Sequence, residues 1–368
     1  MNFSFSLPNT SIIEIGIIFL ALNIIFLTLK LLYKNNTDYK IIYGMFKTKR
    51  YTEIMEKASN SIYSKILSIS SLFLSPITIF LSIFFLFIGL ITYTPTYVPV
   101  IPGASYGVFS IPVIQSIIAI FIAAFIHEFS HGVLVYKNKL NLKSWGFFYI
   151  GPLMGAFVEP DDKEVEKIDK KEQLKIYGAG ATINIIAGLI FLGLFLLFSY
   201  IISIFNLAKP YVEIVGTIPH TNAYNVIPNN TILYSIDNTS ISYINQIGTI
   251  DQHLKPGEYV YLSTSSGNYY IKTTEIDNRT YIGIIVEQQY KYPNPSIPFF
   301  SSLLLWLFII NIGLGIGNML PIYPLDGGRA LKSILEMFLD EEKTKKIINI
   351  ISIIVVILIL YNISFLWI

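Results

Sequence analysis

Residues 111–136 read IPVIQSIIAIFIAAFIHEFSHGVLVY, an apolar run that closes on His127-Glu128-Phe129-Ser130-His131. The run is long enough to cross hydrocarbon as a helix. On one helix, positions 127 and 131 lie a turn apart on the same face, so both imidazoles can reach one zinc ion with Glu128 beside it. HExxH strings also arise by chance in soluble helices. Inside a spanning segment, ionisable side chains are costly and mark function, so chemistry is the expected reason for this one. The two remaining histidines, His220 and His253, fall in a polar stretch and read as ordinary surface or turn residues.

The rest of the chain agrees with a membrane setting. Of 368 residues, 53% are hydrophobic and 14% charged, with a mean hydropathy of +0.58, values of a multi-pass membrane protein rather than a soluble enzyme. A net charge of +2 gives no reason to expect nucleic acid as a partner. Cysteine is absent, which excludes disulfides and thiolate chemistry and leaves His, Asp, Glu and water as ligands for a tetrahedral metal. The first ten residues carry no Lys or Arg, so the first apolar run lacks the basic flank of a cleaved signal and is expected to be retained.

Apolar windows at 12–33, 67–94, 111–136, 176–206, 298–320 and 347–367 predict six spanning helices. Lysine and arginine crowd alternate connections: Lys47, Lys49, Arg50 and Lys57 among others in the first, Lys137 to Lys171 in the third, Arg329 to Lys346 in the fifth. The second, 95–110, has no charge. The positive-inside rule therefore predicts both termini and 207–296 outside, and HExxH near the cytoplasmic face.

Residues 207–296 differ in composition, with short β-branched and aromatic runs separated by Pro, Gly and Asn-rich turns. The stretch 232–241 reads as strand, tight turn, strand, and Lys255-Pro256-Gly257 opens another strand that reaches Leu262. These landmarks resemble a PDZ domain. The stretch 145–160, WGFFYIGPLMGAFVEP, is apolar but broken by Gly146, Gly151, Pro152 and Gly155. It is a poor helix, and a hairpin or re-entrant loop beside the site is expected, with an interfacial loop as the plainer alternative. The mixed-charge run 161–175 reads as a solvated helix face.

A catalytic zinc needs a third protein ligand. Asn318-Met319-Leu320-Pro321-Ile322-Tyr323-Pro324-Leu325-Asp326-Gly327-Gly328 follows the fifth span and places Asp326 at the same membrane face as the histidines. The two prolines break the helix there, and the two glycines permit close backbone approach, so a carboxylate can turn inward. For an isolated Asp-Gly-Gly, a helix N-cap would be the ordinary role.

HExxH in one span with NxxPxxPLDGG at a later one resembles the site-2 protease family of intramembrane zinc metalloproteases, over most of the chain. The resemblance implies zinc on His127, His131 and Asp326, with Glu128 as catalytic acid and base. Gly178-Ala179-Gly180-Ala181-Thr182-Ile183-Asn184 resembles the family's Gly-Pro-x-x-Asn segment, with Ala181 where proline is common. Asn184 then serves as an oxyanion donor, the alternative being a helix-to-helix hydrogen bond. Asn318, Gly155 and Phe157 are candidates for substrate binding. The expected architecture is a polytopic α-helical membrane protein with an extracytoplasmic β-rich domain. Its parts are a two-span region (1–110), a catalytic core in two pieces (111–206 and 297–368) and the PDZ-like insert (207–296). The expected partners are transmembrane or signal-peptide substrates in the bilayer. A non-catalytic adaptor or a zinc transporter is the alternative, the latter disfavoured because the polar groups gather at one face instead of lining a path.

Overall fold

The computed structural model describes residues 5, 6, 8–50, 52–106, 109–276 and 279–366, and divides into two compact units, Met1–Leu196 with Phe299–Ile368, and Leu197–Pro298. In chain order the first unit begins with β1 (Phe5–Ser6), α1 (Asn9–Leu32), β2 (Thr37–Lys40), β3 (Tyr43–Thr48), α2 (Glu53–Ser59) and α3 (Ile62–Thr92). There follow β4 (Ser105–Tyr106), β5 (Phe109–Ser110), α4 (Val113–Lys137), β6 (Leu142–Ile150), β7 (Leu153–Pro160), α5 (Asp162–Val165) and α6 (Lys170–Ile204). The second unit holds β8 (Lys209–Thr217), β9 (Thr231–Ile236), β10 (Thr239–Ser240), α7 (Ile244–Asp251), β11 (Tyr259–Thr264), β12 (Gly267–Lys272), β13 (Thr274–Ile276), β14 (Arg279–Tyr281) and β15 (Ile284–Lys291). The chain then returns through α8 (Ser296–Asn318), α9 (Asp326–Leu335) and α10 (Glu341–Ser364).

Among the described residues six helices, α1, α3, α4, α6, α8 and α10, are long and apolar enough to cross a membrane, and each overlaps most of one of the six expected windows. Residue 367, expected to close the sixth window, lies outside the described residues. The fold is that of a polytopic membrane protein with a β-rich unit. Helix α3 turns a row of small polar residues inward, Ser68, Ser71, Ser75, Thr78 and Ser82 among them. Small side chains let helix backbones approach closely where hydrocarbon offers no hydrophobic drive. At Gly178 of α6, a β-carbon would collide with Ser75. Ser82 Oγ donates to the Met319 carbonyl (3.1 Å), which ties the end of α8 to α3 and locates the segment leading to Asp326.

The stretch 145–160 is a hairpin built of regular strands. Strands β6 and β7 pair in antiparallel register from Ile150↔Leu153 to Leu142↔Pro160, around a turn where Gly151 has φ 57°. The hairpin does not stand alone. It continues a four-stranded sheet in the order β2-β3-β6-β7, with Tyr43↔Ile150 and Thr48↔Trp145 joining the first connection to it. The sheet packs on α1 through Leu22, Phe26 and Tyr149. The Tyr149 hydroxyl lies 2.8 Å from the Lys40 carbonyl and 3.1 Å from Asn23 Oδ1, and the Tyr39 hydroxyl donates to the same Oδ1 (3.0 Å), so a half-buried amide in α1 is met by the sheet.

In the second unit the strand order is β12-β11-β9-β8-β15, with β10 pairing β9. Its core is aliphatic, including Val212, Ile214, Leu233, Ile236, Val260 and Leu262. The expected strand, tight turn, strand over 232–241 is β9, Asp237-Asn238 and β10, with Asp237 at φ 49°.

Candidate active site

Helix α4 presents His127 and His131 on one face, both buried. Asp326, the first residue of α9, comes between them, its Oδ2 3.0 Å from His127 Nε2 and 3.1 Å from His131 Nε2. One ligand atom from each of the three lies within 4.8 Å of the others. Two imidazoles and a carboxylate, with one side open to a cavity of about 390 Å³, are the donor set and vacancy that a catalytic zinc requires. His131 Nδ1–H donates to the Ile176 carbonyl (2.7 Å). A carbonyl can only accept, so the proton is held on Nδ1 and the Nε2 lone pair is directed at the centre.

Glycines make room for these ligands. A β-carbon at Gly180 of α6 would overlap the His127 ring. At Gly327 it would strike the backbone of Met319 and Leu320, and at Gly328 that of Ile322. The chain carrying Asp326 therefore folds back on itself at a distance no side chain permits.

Glu128 stands outside the three-residue cluster. Its Oε2 accepts a hydrogen bond from the Val158 N–H of β7 (3.0 Å), and its carboxylate lines the same cavity. Asn318 also lines it, with Nδ2 3.3 Å from His127 Nε2. Asn184 does not. It lies one turn beyond Gly180 on α6, fully buried, with neither amide atom partnered among the described residues. Gly155 and Phe157 lie in β7 outside the cavity lining: Gly155 sits under the Phe148 ring, and Phe157 carries Lys47 Nζ 5.6 Å from its centroid. His220 and His253 are exposed in the second unit.

The sequence model of Peptidase family M50 matches residues 115–361, from within α4 to within α10. The chain belongs to peptidase family M50. The resemblance to site-2 proteases read from HExxH and LDGG therefore holds. The chain is also 28% identical over 242 residues to an uncharacterized protein of Methanocaldococcus jannaschii. That alignment takes in 64% of this chain and 60% of the relative, so the chain spans about three fifths of the relative's length.

The M50 site has a polar wall that its motifs do not announce. Arg329, directly after the two glycines, donates from Nη1 to Asp162 Oδ1 (2.8 Å) and from Nε to the Pro324 carbonyl (3.0 Å), and lies 5.6 Å from the Tyr177 ring centroid. Burial opposes the guanidinium charge, but the hydrogen bond and charge of Asp162 outweigh it and leave Arg329 more basic than usual. The run 161–175, expected as a solvated face, thus contributes Asp162 to the cavity wall. Its Glu164 accepts from the Asn141 N–H (2.8 Å), and that bond holds its carboxyl below the usual range. Val158, Ile176, Tyr177 and Gly180 were not expected either. Only Arg329 and Gly180 carried a sequence signal, as parts of the LDGGR and GAGATIN strings.

Proposed function

We propose that this M50 member is a zinc endopeptidase that hydrolyses peptide bonds in or near transmembrane segments, in regulated intramembrane proteolysis or in clearing signal-peptide remnants. The observation that carries the proposal is the meeting of His127, His131 and Asp326 beside a carboxylate, Glu128, that is held apart from them. Bound by the three, zinc would supply Lewis acidity toward the scissile carbonyl and acidify the attacking water. Glu128 takes the water proton and returns it to the leaving amine. The Val158 hydrogen bond orients its carboxylate for that exchange. Asn184, buried and unpartnered, is the donor proposed for the developing oxyanion, and Asn318 positions substrate beside His127.

Peptide bonds in a membrane helix are already hydrogen-bonded, so a substrate must be unwound before it is cut. Strand β7 is the outermost of its sheet and supplies the edge on which an unwound segment can pair. Since the Val158 N–H leaves the sheet toward Glu128, alternation turns the backbone groups of Met154, Ala156 and Val158 to that edge and those of Gly155 and Phe157 toward β6. In this reading Gly155 and Phe157 act through the strand they support, Gly155 by admitting the Phe148 ring. The second unit, read as PDZ-like and extracytoplasmic, screens substrates while the site works at the cytoplasmic face.

The test is cleavage of a panel of reporter spanning segments by zinc-loaded protein, beside Glu128→Gln and a chelator, with zinc assayed throughout. Glu128→Gln should keep its zinc and lose roughly a hundred- to ten-thousandfold in rate. Cleavage that survives Glu128→Gln, or a parent protein that binds no zinc, would overturn the assignment. A chain with 207–296 replaced by a linker, run on the same panel, should cut a different range of segments if that unit screens them.

A further inference from the structure

The four-stranded sheet is polarised from end to end. Its two turns expose Ile41, Ile42, Ile150 and Leu153, with Ile41 70% and Ile42 68% exposed, beside the exposed Lys40, whose long side chain can reach toward the surface. At the opposite end lie Lys47, near the end of the six-residue β3, Lys49 and Arg50 just past it, and, from the start of β6, Lys143. A strand of that length advances about 20 Å, close to the depth from a leaflet's interior to its headgroups. An apolar tip in hydrocarbon therefore leaves the basic end among lipid phosphates.

That basic end is a shallow, open cavity of about 430 Å³, lined by the four cations with Thr48, Ser144 and Asn36. Its backbone is braced. The Trp145 indole donates to the Arg50 carbonyl (2.7 Å), the Arg50 N–H donates to Thr48 Oγ1 (3.0 Å), and Asn36 Nδ2 donates to the Lys47 carbonyl (2.8 Å). Two carboxylates reach the rim: Glu159 lies 3.9 Å from Lys47 and Asp161 3.5 Å from Lys143. Among the described residues Lys49 and Arg50 have no ion-pair partner, so the cavity keeps an excess of positive charge.

We propose that this cavity binds the phosphate of one anionic lipid headgroup. Lys49 and Arg50 supply the uncompensated charge, the Thr48 hydroxyl, which accepts from the Arg50 N–H, keeps its own proton to donate, and the apolar tip sets the depth. The site is tied to the catalytic one through a single step of chain. Glu159, which accepts from Ser144 Oγ (2.7 Å), follows Val158, whose N–H holds Glu128. A headgroup between β3 and β6 thus steadies the end of β7 that faces the base.

The full-length protein, in neutral detergent with equal phosphatidylcholine and phosphatidylglycerol, is examined by native mass spectrometry. One phosphatidylglycerol should be retained in preference, and Lys49→Gln with Arg50→Gln should weaken it about twenty-fivefold, at about fivefold per charge. Lys49→Arg with Arg50→Lys should restore it. If the double neutral variant does not fold, each single variant should show its own fivefold loss. Equal retention of the two lipids, or undiminished retention by the neutral variants, overturns the proposal. A third arm offers inorganic phosphate to lipid-free protein. Phosphate binding there without lipid preference in the first arm would mark a soluble-anion site and overturn the lipid assignment.

Discussion

At Gly180 the backbone of α6 runs so close to His127 that one added carbon would push the imidazole from its place. The consequence is specific to metal binding, because His127 is a proposed ligand and its ring is buried. Gly180→Ala should weaken zinc binding roughly ten- to hundredfold, the cost of a displaced ligand ring. Metal analysis after dialysis against a competing chelator measures this, and full zinc retention would show that the ring can yield. Asn184 poses the opposite case. A buried amide without partners costs stability of about 1–3 kcal/mol, which a core residue of no other use would not carry. Asn184→Leu should therefore leave the melting temperature unchanged or raise it, while cleavage drops on the order of a hundred- to a thousandfold. Loss of stability with cleavage intact would make it a helix-joining residue.

At the level of elements, what could be read in the sequence follows from how local the information is. Six helices were legible because a long apolar run in hydrocarbon has to satisfy its backbone within itself. His127, Glu128 and His131 were legible because one helical turn fixes their geometry, and Asp326 because LDGG accompanies it. Strands β2 and β3 were not. Lys40, Lys47 and Lys49 made 34–65 read as a charged connection, and what makes Tyr43 to Thr48 a strand is a partner about a hundred residues away in β6. The pairing of Arg329 with Asp162 was hidden for the same reason, since it joins α9 to α5. The edge of β7 is the element whose role is most open to test. Ala156→Pro deletes one outward N–H and leaves the pairing with β6, as edge strands tolerate. For a spanning substrate kcat/KM should fall roughly three- to tenfold, the worth of one hydrogen bond, with zinc content unchanged. An unaltered kcat/KM would rule out pairing at that position.

For the whole molecule, the distribution of lysine makes a statement about sides. The chain has no cysteine, so single cysteines can be introduced without background. Lys57 and Asn268 are both exposed, one in the basic first connection and the other in the second unit. A membrane-impermeant maleimide on intact cells should label Asn268→Cys and spare Lys57→Cys until the membrane is opened. The reverse pattern would invert the proposed orientation and put the zinc site at the other face.

The hydrogen bond between Val158 and Glu128 has a consequence for selectivity. On the proposed pairing, a segment along β7 would meet Glu128 at a place fixed by counting residues from where the pairing begins. Slipping it by one residue turns every side chain to the opposite face, and slipping it by two restores them. The protease would then work as a ruler: the bond it cuts is set by distance along the strand, and many unrelated sequences could be cut at the same mark.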